Sequence, residues 1–559
     1  GPLAASQPAL TIGDANHPEY AGNLTRQDLN YMWDLYIAGE FGGANEVFPE
    51  IYDLTGDGRH LQTAKAFDNC ASLFDAAVED RDILVVTPED NPGPRRPNRL
   101  HANVHVPQFT GYLRIHEQTG EQPYLEAAKN FYGWIMPHRR FASGGTGGNY
   151  PGSDRNTELF QNRGNVANAV ADAGAETCTT YNLLKLGRNL FMHEQDAAYM
   201  DNYERGLFNM IAGSRGDGRG ASGDDPLLTY FQPLTPGSRR EYGNTGTCCG
   251  GTGLESHTKY QETVYMRSAD DSALWVNLYV PSVLDWAERG FKVTQETGFP
   301  RSDSTKLTVN NGSGQFDLKL RVPHWAVAGF EVLVNGDAFE PEEEARPGSY
   351  LTLGRDWQAG DEVEIRMPFS IRIERALDRP DTQAIMWGPT LLQILGSPDS
   401  DDDGGFWELS LYDQLGLGGN YSEKAIVQTE TTPAGDPLFT IGNYNLTARP
   451  YYVSDTQPVS SYFRRVEPAV VFGPSSDAGV PNRKRDLGLP DYDVPVEGFP
   501  SPGHDGPTFL DLVWDRAPFA SREGFVGAVE EVAGEFVDDG VYSGEERDAI
   551  VETARQADI

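Results

Sequence analysis

Between about residues 20 and 265 the apolar positions recur at helical spacing, and the pattern repeats. Thr55-Gly56-Asp57-Gly58-Arg59-His60-Leu61-Gln62-Thr63-Ala64-Lys65-Ala66-Phe67 returns as Thr119-Gly120-Glu121-Gln122-Pro123-Tyr124-Leu125-Glu126-Ala127-Ala128-Lys129-Asn130-Phe131. Each copy closes one apolar helical stretch and opens another, so the unit is a helical hairpin turned by Thr-Gly-acid. A weaker third copy runs from Leu186 to Arg205, with Glu194-Gln195-Asp196 at its turn. A lone hairpin cannot bury its apolar face, so repeated hairpins stack as a solenoid or close into a toroid of inner and outer helices. A glycine-rich loop from Ser143 to Ser153 interrupts the helices where a toroid would carry its site.

After about residue 270 the period becomes two. Ala273 to Val280, Phe316 to Val322, Phe330 to Gly336 and Glu362 to Met367 alternate apolar and polar residues between turn signals, which predicts the strands of a β-sandwich. The pattern divides the chain into a helical toroid domain over 1–268, a β-sandwich over 269–396, a second β-rich domain over 397–475, a Pro/Gly-rich linker over 476–506 and a small helical appendage over 507–559. Ser543-Gly544-Glu545-Glu546 reads as a capping box that opens the last helix, through about Ala554. The fold class is therefore multidomain α plus β.

Length agrees with this division, because 559 residues exceed what a single core holds. The formal net charge is −38 and Asn482-Arg483-Lys484-Arg485-Asp486 is the longest basic stretch, which argues against an extended basic surface and so against nucleic acid as a partner. The acidity reads as solubility. No window of eighteen apolar residues exists, so no membrane span is expected. The opening Gly1-Pro2-Leu3 looks like the scar of a cleaved tag, which leaves localisation open between an extracellular or cell-surface setting and the cytoplasm.

Four cysteines do not make a disulfide framework in a chain of this size, and a metal or catalytic use suits them better. Cys248 and Cys249 are adjacent in Gly246-Thr247-Cys248-Cys249-Gly250-Gly251-Thr252-Gly253, and a third lies in Ala175-Glu176-Thr177-Cys178. Three thiolates and the Glu176 carboxylate match the number and softness of ligands that zinc accepts, although the spacing is not a zinc-finger pattern. The bland reading is a set of buried apolar thiols. Glu158 follows the glycine-rich loop, and His101 and His105 lie in His101-Ala102-Asn103-Val104-His105. With Tyr230 in Thr229-Tyr230-Phe231-Gln232, they suit a sugar pocket in which acids move protons and rings stack on sugar faces; alone, each is as readily a surface or core residue.

Taken together, Gly43-Ala44-Asn45-Glu46-Val47, His101-Ala102-Asn103, Glu176 to Leu186, Cys248 to Tyr260 and Val276 to Ser282 resemble the signature of the β-L-arabinofuranosidase group, glycoside hydrolase family 127 and its relative family 146. The resemblance runs from about residue 40 to 395. It implies an (α/α)6 toroid followed by β-sandwiches, and a Zn2+ cofactor held by Glu176, Cys178, Cys248 and Cys249. It further implies a retaining, exo-acting hydrolase of an arabinose-containing oligosaccharide or glycan, with Cys248 as nucleophile and Glu158 as acid/base. His101, Tyr230 and Asn45 fall on implied sugar contacts, and Glu255 is the second candidate for the acid. The chain reaches the Asn45 motif early, so the toroid is expected to lack its first hairpins, completed by a missing N-terminal segment or by a second copy in a homo-oligomer. The Cys-Cys-Gly-Gly-Thr-Gly form and Glu255-Ser256-His257 lean toward family 146, which leaves sugar and linkage open.

Two other readings are compatible with the residues alone. One is a polysaccharide lyase or isomerase on a helical toroid with a structural zinc and His101 or Tyr230 as base. The other is a non-catalytic carbohydrate-binding protein. Asp399-Ser400-Asp401-Asp402-Asp403-Gly404 has the oxygen spacing of a calcium loop but lacks an acidic residue at its twelfth position, where Ser410 stands, so it reads as an acidic loop. Trp275 and Trp325 lie on alternating strands and read as core rather than sugar platforms.

Overall fold

The computed structural model describes residues 10–12, 22–24, 42–68, 73–85, 100–147, 158–171, 174–216, 227–243, 246–256, 258–259, 261–341, 344–398, 405–421, 425–453, 456–473, 475–485 and 506–559. The end of the glycine-rich loop, His257, the run from Asp399 to Asp403 and most of the Pro/Gly-rich segment lie outside these residues.

The repeat in the sequence is a repeat of structure. Ala44–Thr55 pairs with Gly58–Ala66, Ala102–Thr119 with Gln122–Ile135, and Thr177–Glu194 with Ala197–Gly206, each across a short turn. Gly56 (φ 69°) and Gly120 (φ 71°) close the first helices in the left-handed conformation, which glycine adopts without a Cβ clash. Gln195 (φ 53°) stands at the same place in the third copy and its side-chain amide donates to the Met192 carbonyl at 2.9 Å. That local bond offsets the cost of a left-handed non-glycine residue and explains why the third copy is faint in sequence. The Ala102–Thr119 helix packs against the first and third hairpins. Its Phe109 stacks on Phe131, and Phe74, Tyr112, Leu186 and Leu190 complete a common core.

Among the described residues, two antiparallel-rich sheets follow. One is built from Tyr265–Arg267, Ala273–Val276, Ser313–Val322 and Ser349–Gln358, and the other from Ser282–Trp286, Phe291–Thr297, Ser304–Asn311, Glu331–Val334, Asp337–Ala338 and Glu362–Arg366. Their inner faces meet over Trp286, Val293, Phe316, Leu318 and Trp357. Trp325 is fully buried here, and Trp275 lies under the Lys319 ammonium.

The third sheet begins earlier than the alternating pattern places it. Ile371–Arg375, Thr382–Trp387 and Thr390–Leu395 pair with one another and, through the last two, with Phe463–Arg465 and Leu446–Pro450, so a boundary at 396 separates strands of one sheet. Both middle strands are covered on both faces, so they show no alternation to assign them. Part of the expected linker is also ordered. Asp477–Pro481 pairs with Ala469–Val471, and this hairpin packs on the C-terminal helices Phe509–Trp514, Arg522–Asp538 and Gly544–Gln556. Capping boxes at Thr508 and Ser543 start the first and last of them.

The helical part is locked to the first sandwich by charge. Arg321, fully buried on its strand, pairs with Asp201 and Glu204 of the third hairpin, and Trp325 donates to Glu204 at 2.7 Å.

Candidate active site

Three chain segments converge on one spot. The strand Gly174–Glu176 pairs with Phe231–Pro233, and the chain then turns directly into the Thr177–Glu194 helix, with Glu176 as its N-cap. Thr177 N–H donates to the Tyr230 carbonyl at 3.0 Å, which satisfies one of the helix's free N-terminal donors and fixes Tyr230 beside Glu176 and Cys178. Cys248 and Cys249 open the Cys248–Ser256 helix, where Thr247 Oγ1 accepts from Gly250 N–H at 3.2 Å. Gly253 lets this helix lie against Leu228, because a Cβ there would come within 2.9 Å of the leucine side chain.

The ligand atoms of Glu176, Cys178, Cys248 and Cys249 lie within 4.8 Å of one another. Cys178 Sγ is 2.7 Å from Cys249 Sγ, 3.6 Å from Cys248 Sγ and 3.0 Å from Glu176 Oε1. Glu176 Oε2 accepts from Thr179 Oγ1 at 2.9 Å, and the Cys178 carbonyl accepts from Asn182 Nδ2 at 3.2 Å. Glu176, Cys178 and Cys249 are buried and Cys248 is exposed. Packed together without a cation, the groups oppose each other's charge. The Cys178 thiol is pushed up by its hydrogen bond to Cys249, by burial and by Glu176, and burial raises both Cys248 and Glu176. A divalent cation inverts that logic, and three soft sulfurs with one carboxylate are the donor set that zinc takes.

Glu158 sits across from this cluster. Its backbone carbonyl accepts from Ala102 N–H at 2.7 Å, and Phe160 N–H donates to the Leu100 carbonyl at 3.0 Å, so the segment is stitched to the start of the Ala102–Thr119 helix. One carboxylate oxygen lies 3.1 Å from His101 Nε2 and the other accepts the Tyr230 hydroxyl at 2.6 Å. The same hydroxyl is 3.3 Å from Cys248 Sγ. Burial, Cys248 and Glu158 raise the Tyr230 pKa, so it stays a proton donor.

The expected site residues therefore separate. Glu158, His101, Tyr230, Glu176, Cys178, Cys248 and Cys249 form one connected set. Asn45 does not join it by any bond; it is fully buried and donates to the Gln108 carbonyl at 2.8 Å, a contact between helices. His105 is also fully buried, and its Nδ1 bonds the His101 carbonyl at 2.6 Å, so it positions His101. Glu255 pairs with Lys259 and takes a hydrogen bond from Tyr181. Sequence reasoning named Thr179, Asn182 and Asn103 only as members of the signature and gave them no role, because small polar residues in a helix carry little chemical signal of their own; the last two are joined at 2.7 Å. It also passed over Phe231, whose partly exposed ring rests 4.5 Å from that of Tyr230.

A family model of the GH127 catalytic domain of β-L-arabinofuranosidases matches residues 17–262, and one of the GH127 middle domain matches residues 273–369. Together they span more than half of the chain. The chain belongs to glycoside hydrolase family 127. This GH127 chain is 23% identical, over 321 residues, to the non-reducing end β-L-arabinofuranosidase of Bifidobacterium longum subsp. longum. The match covers 54% of the chain and 46% of that relative, so the chain spans about half of the relative's length. Among solved structures, a GH127 β-arabinofuranosidase superposes with TM-score 0.55 at 21% identity, over 76% of this chain and 68% of the other. A GH127 β-L-arabinofuranosidase from Geobacillus stearothermophilus T6 superposes with TM-score 0.56 at 19% identity, over 79% and 76%. These two likenesses establish the fold, a helical toroid followed by β domains.

Proposed function

We propose that this GH127 chain is a retaining, exo-acting glycoside hydrolase that removes β-L-arabinofuranosyl groups from an arabinose-containing glycan, with Cys248 as nucleophile and Glu158 as acid/base. The observation that carries the reading is the single Tyr230 hydroxyl that touches both Glu158 and Cys248. It puts carboxyl oxygen and sulfur no more than about 6 Å apart, close to the short separation of retaining enzymes and too close for the water of an inverting one.

In the first step the Cys248 sulfur attacks the anomeric carbon while Glu158 gives its proton to the departing glycosidic oxygen, leaving a thioglycosyl enzyme. In the second, Glu158 takes a proton from water, the water oxygen attacks the same carbon, and the carbon–sulfur bond breaks. Two inversions return the original anomer. His101 and Tyr230 hold the two carboxylate oxygens of Glu158 and present polar atoms to the sugar. Glu176, Cys178, Cys248 and Cys249 would hold Zn2+, which when bound keeps the thiols ionised at neutral pH. The exposure of Cys248 alone supports a catalytic sulfur over a wholly structural site.

The test is product analysis by NMR on arabinofuranosides of both anomers and both enantiomers. Release of β-L-arabinose from the β-L substrate, observed before mutarotation, supports the reading. Release of the α anomer, an unsaturated product, or no turnover of any member overturns it.

A further inference from the structure

The Thr177–Glu194 helix starts without a side-chain cap. Glu176 stands at the N-cap, where a short Ser, Thr, Asp or Asn usually accepts a free backbone N–H, and its carboxylate makes no such bond. Thr179 is the third helical residue, the place where a capping box carries Glu or Gln. Carboxylate and hydroxyl have exchanged places, and the bond runs from side chain to side chain: Thr179 Oγ1 donates to Glu176 Oε2 at 2.9 Å. A helical threonine more often bonds the carbonyl four residues back, as Thr63, Thr110, Thr119 and Thr553 do in this chain. Thr179 spends its hydroxyl on Glu176 instead.

The two oxygens of the Glu176 carboxylate therefore face different groups. Oε1 looks toward the sulfurs, 3.0 Å from Cys178, 3.8 Å from Cys249 and 4.0 Å from Cys248. Oε2 looks toward Thr179. Glu176 is 1% exposed and Thr179 is fully buried, so solvent does not readily replace a lost donor.

The hydrogen bonds on these two oxygens respond differently to a cation. Cys178 bonds Oε1 as a thiol, and a thiol gives up its proton when it ligates a metal. The Thr179 hydroxyl keeps its proton, so its bond to Oε2 persists. That bond matters because the terminal torsion of a glutamate is broad and two-fold rather than staggered, which leaves the carboxylate free to turn unless a partner holds one oxygen. Ligating carboxylates are commonly oriented in this way by a hydrogen bond from behind.

We propose that Thr179 is a positioning residue for the metal: its hydroxyl fixes Glu176 so that Oε1 is the oxygen offered to zinc beside the three sulfurs. The inference rests on the reading of Glu176, Cys178, Cys248 and Cys249 as a zinc site. It adds a residue that touches neither zinc nor sugar, yet sets how tightly zinc is held and, through zinc, how much of Cys248 is thiolate.

The test is the zinc affinity of the full chain, measured by competition with a chromophoric chelator, with thermal unfolding of the zinc-free protein alongside. Thr179→Val removes the hydroxyl and keeps the branched shape. It is expected to weaken zinc binding at least about tenfold, and Thr179→Ser is expected to stay within about threefold of the parent. In a Glu176→Ala background, Thr179→Val is expected to change the affinity no more than about twofold, because the hydroxyl acts through that carboxylate. An unchanged affinity in Thr179→Val, an equal loss in Thr179→Ser, or the same loss without Glu176 would each overturn the role. A fall confined to the Tm of the zinc-free protein overturns it too, and assigns Thr179 to packing. A parent that binds no zinc overturns the zinc site itself and this role with it, a result distinct from the others. If Thr179→Val does not fold, Thr179→Ala, a better helix former that also lacks the hydroxyl, decides on the same criteria.

Discussion

Cys248 and Cys249 are neighbours in the chain and opposites in the fold: Cys249 is 1% exposed, and Cys248 opens to solvent beside the Tyr230 hydroxyl. A helix start turns successive side chains by about a quarter turn or more, so one sulfur faces the buried cluster and the other faces the pocket. This division orders the first two predictions.

Protein purified without chelator is expected to contain one zinc per chain. Cys249→Ser should lower metal content and thermal stability together, because the buried thiolate has no other partner for its charge. Inductively coupled plasma mass spectrometry reads the metal. Full zinc occupancy in a Cys249→Ser, Cys178→Ser double variant would remove the ligand assignment.

Cys248→Ser should retain the far-UV circular dichroism of the parent and lose more than about a hundredfold in kcat, since a serine hydroxyl has a far higher pKa than a thiol and is a poor nucleophile at neutral pH. Activity within about tenfold of the parent assigns the attack to another group.

Glu158→Gln separates acid from nucleophile by substrate. Its loss should be large on natural glycans, whose alkoxide leaves badly, and small in the first step on a nitrophenyl glycoside, whose phenolate leaves unprotonated. Azide should speed the second step by replacing the water that needs a base. Equal losses on both substrates, with no azide effect, would move the acid role away from the Tyr230-bound carboxyl.

Arg321→Met is expected to cost about 3–5 kcal/mol, because it leaves the buried Asp201 and Glu204 carboxylates without their cation. Chemical denaturation measures this, and a loss below about 1 kcal/mol would show that the two carboxylates find protons or other donors at little cost.

Glu374 supplies a pH dependence. Its folded pKa, about 2, lies below the unfolded value of about 4.3, so its contribution is complete above the unfolded value and is lost as pH falls through about 4 toward 2. The stability difference between the parent and Glu374→Gln should therefore shrink between about pH 5 and pH 2. Parallel curves of urea midpoint against pH would deny the carboxylate that role.

Much of this was legible in the chain. The hairpin repeat showed because helix turns need a left-handed residue, and glycine at 56 and 120 writes that need into the sequence. The strands of the first two sheets showed because one face of each is wet. The candidate metal cluster showed because thiols are rare here and chemically unlike anything around them. Asn45 illustrates the limit: a short motif names a residue but not whether its amide faces a pocket or a neighbouring helix, and here it spans two helices.

What the tertiary structure alone decided are the relations between residues far apart in the chain. That Tyr230 touches both Glu158 and Cys248, that Cys248 and not Cys249 is open, that strands 382–395 belong to the third sheet and that Arg205 of the third hairpin pairs with Glu374 of that sheet all depend on how hairpins and sheets pack. Periodicity reports only which face of an element is dry. It carries no record of which other element dries it, because apolar burial is non-directional and many partners satisfy it equally; distances between side chains are fixed only when one packing excludes the rest.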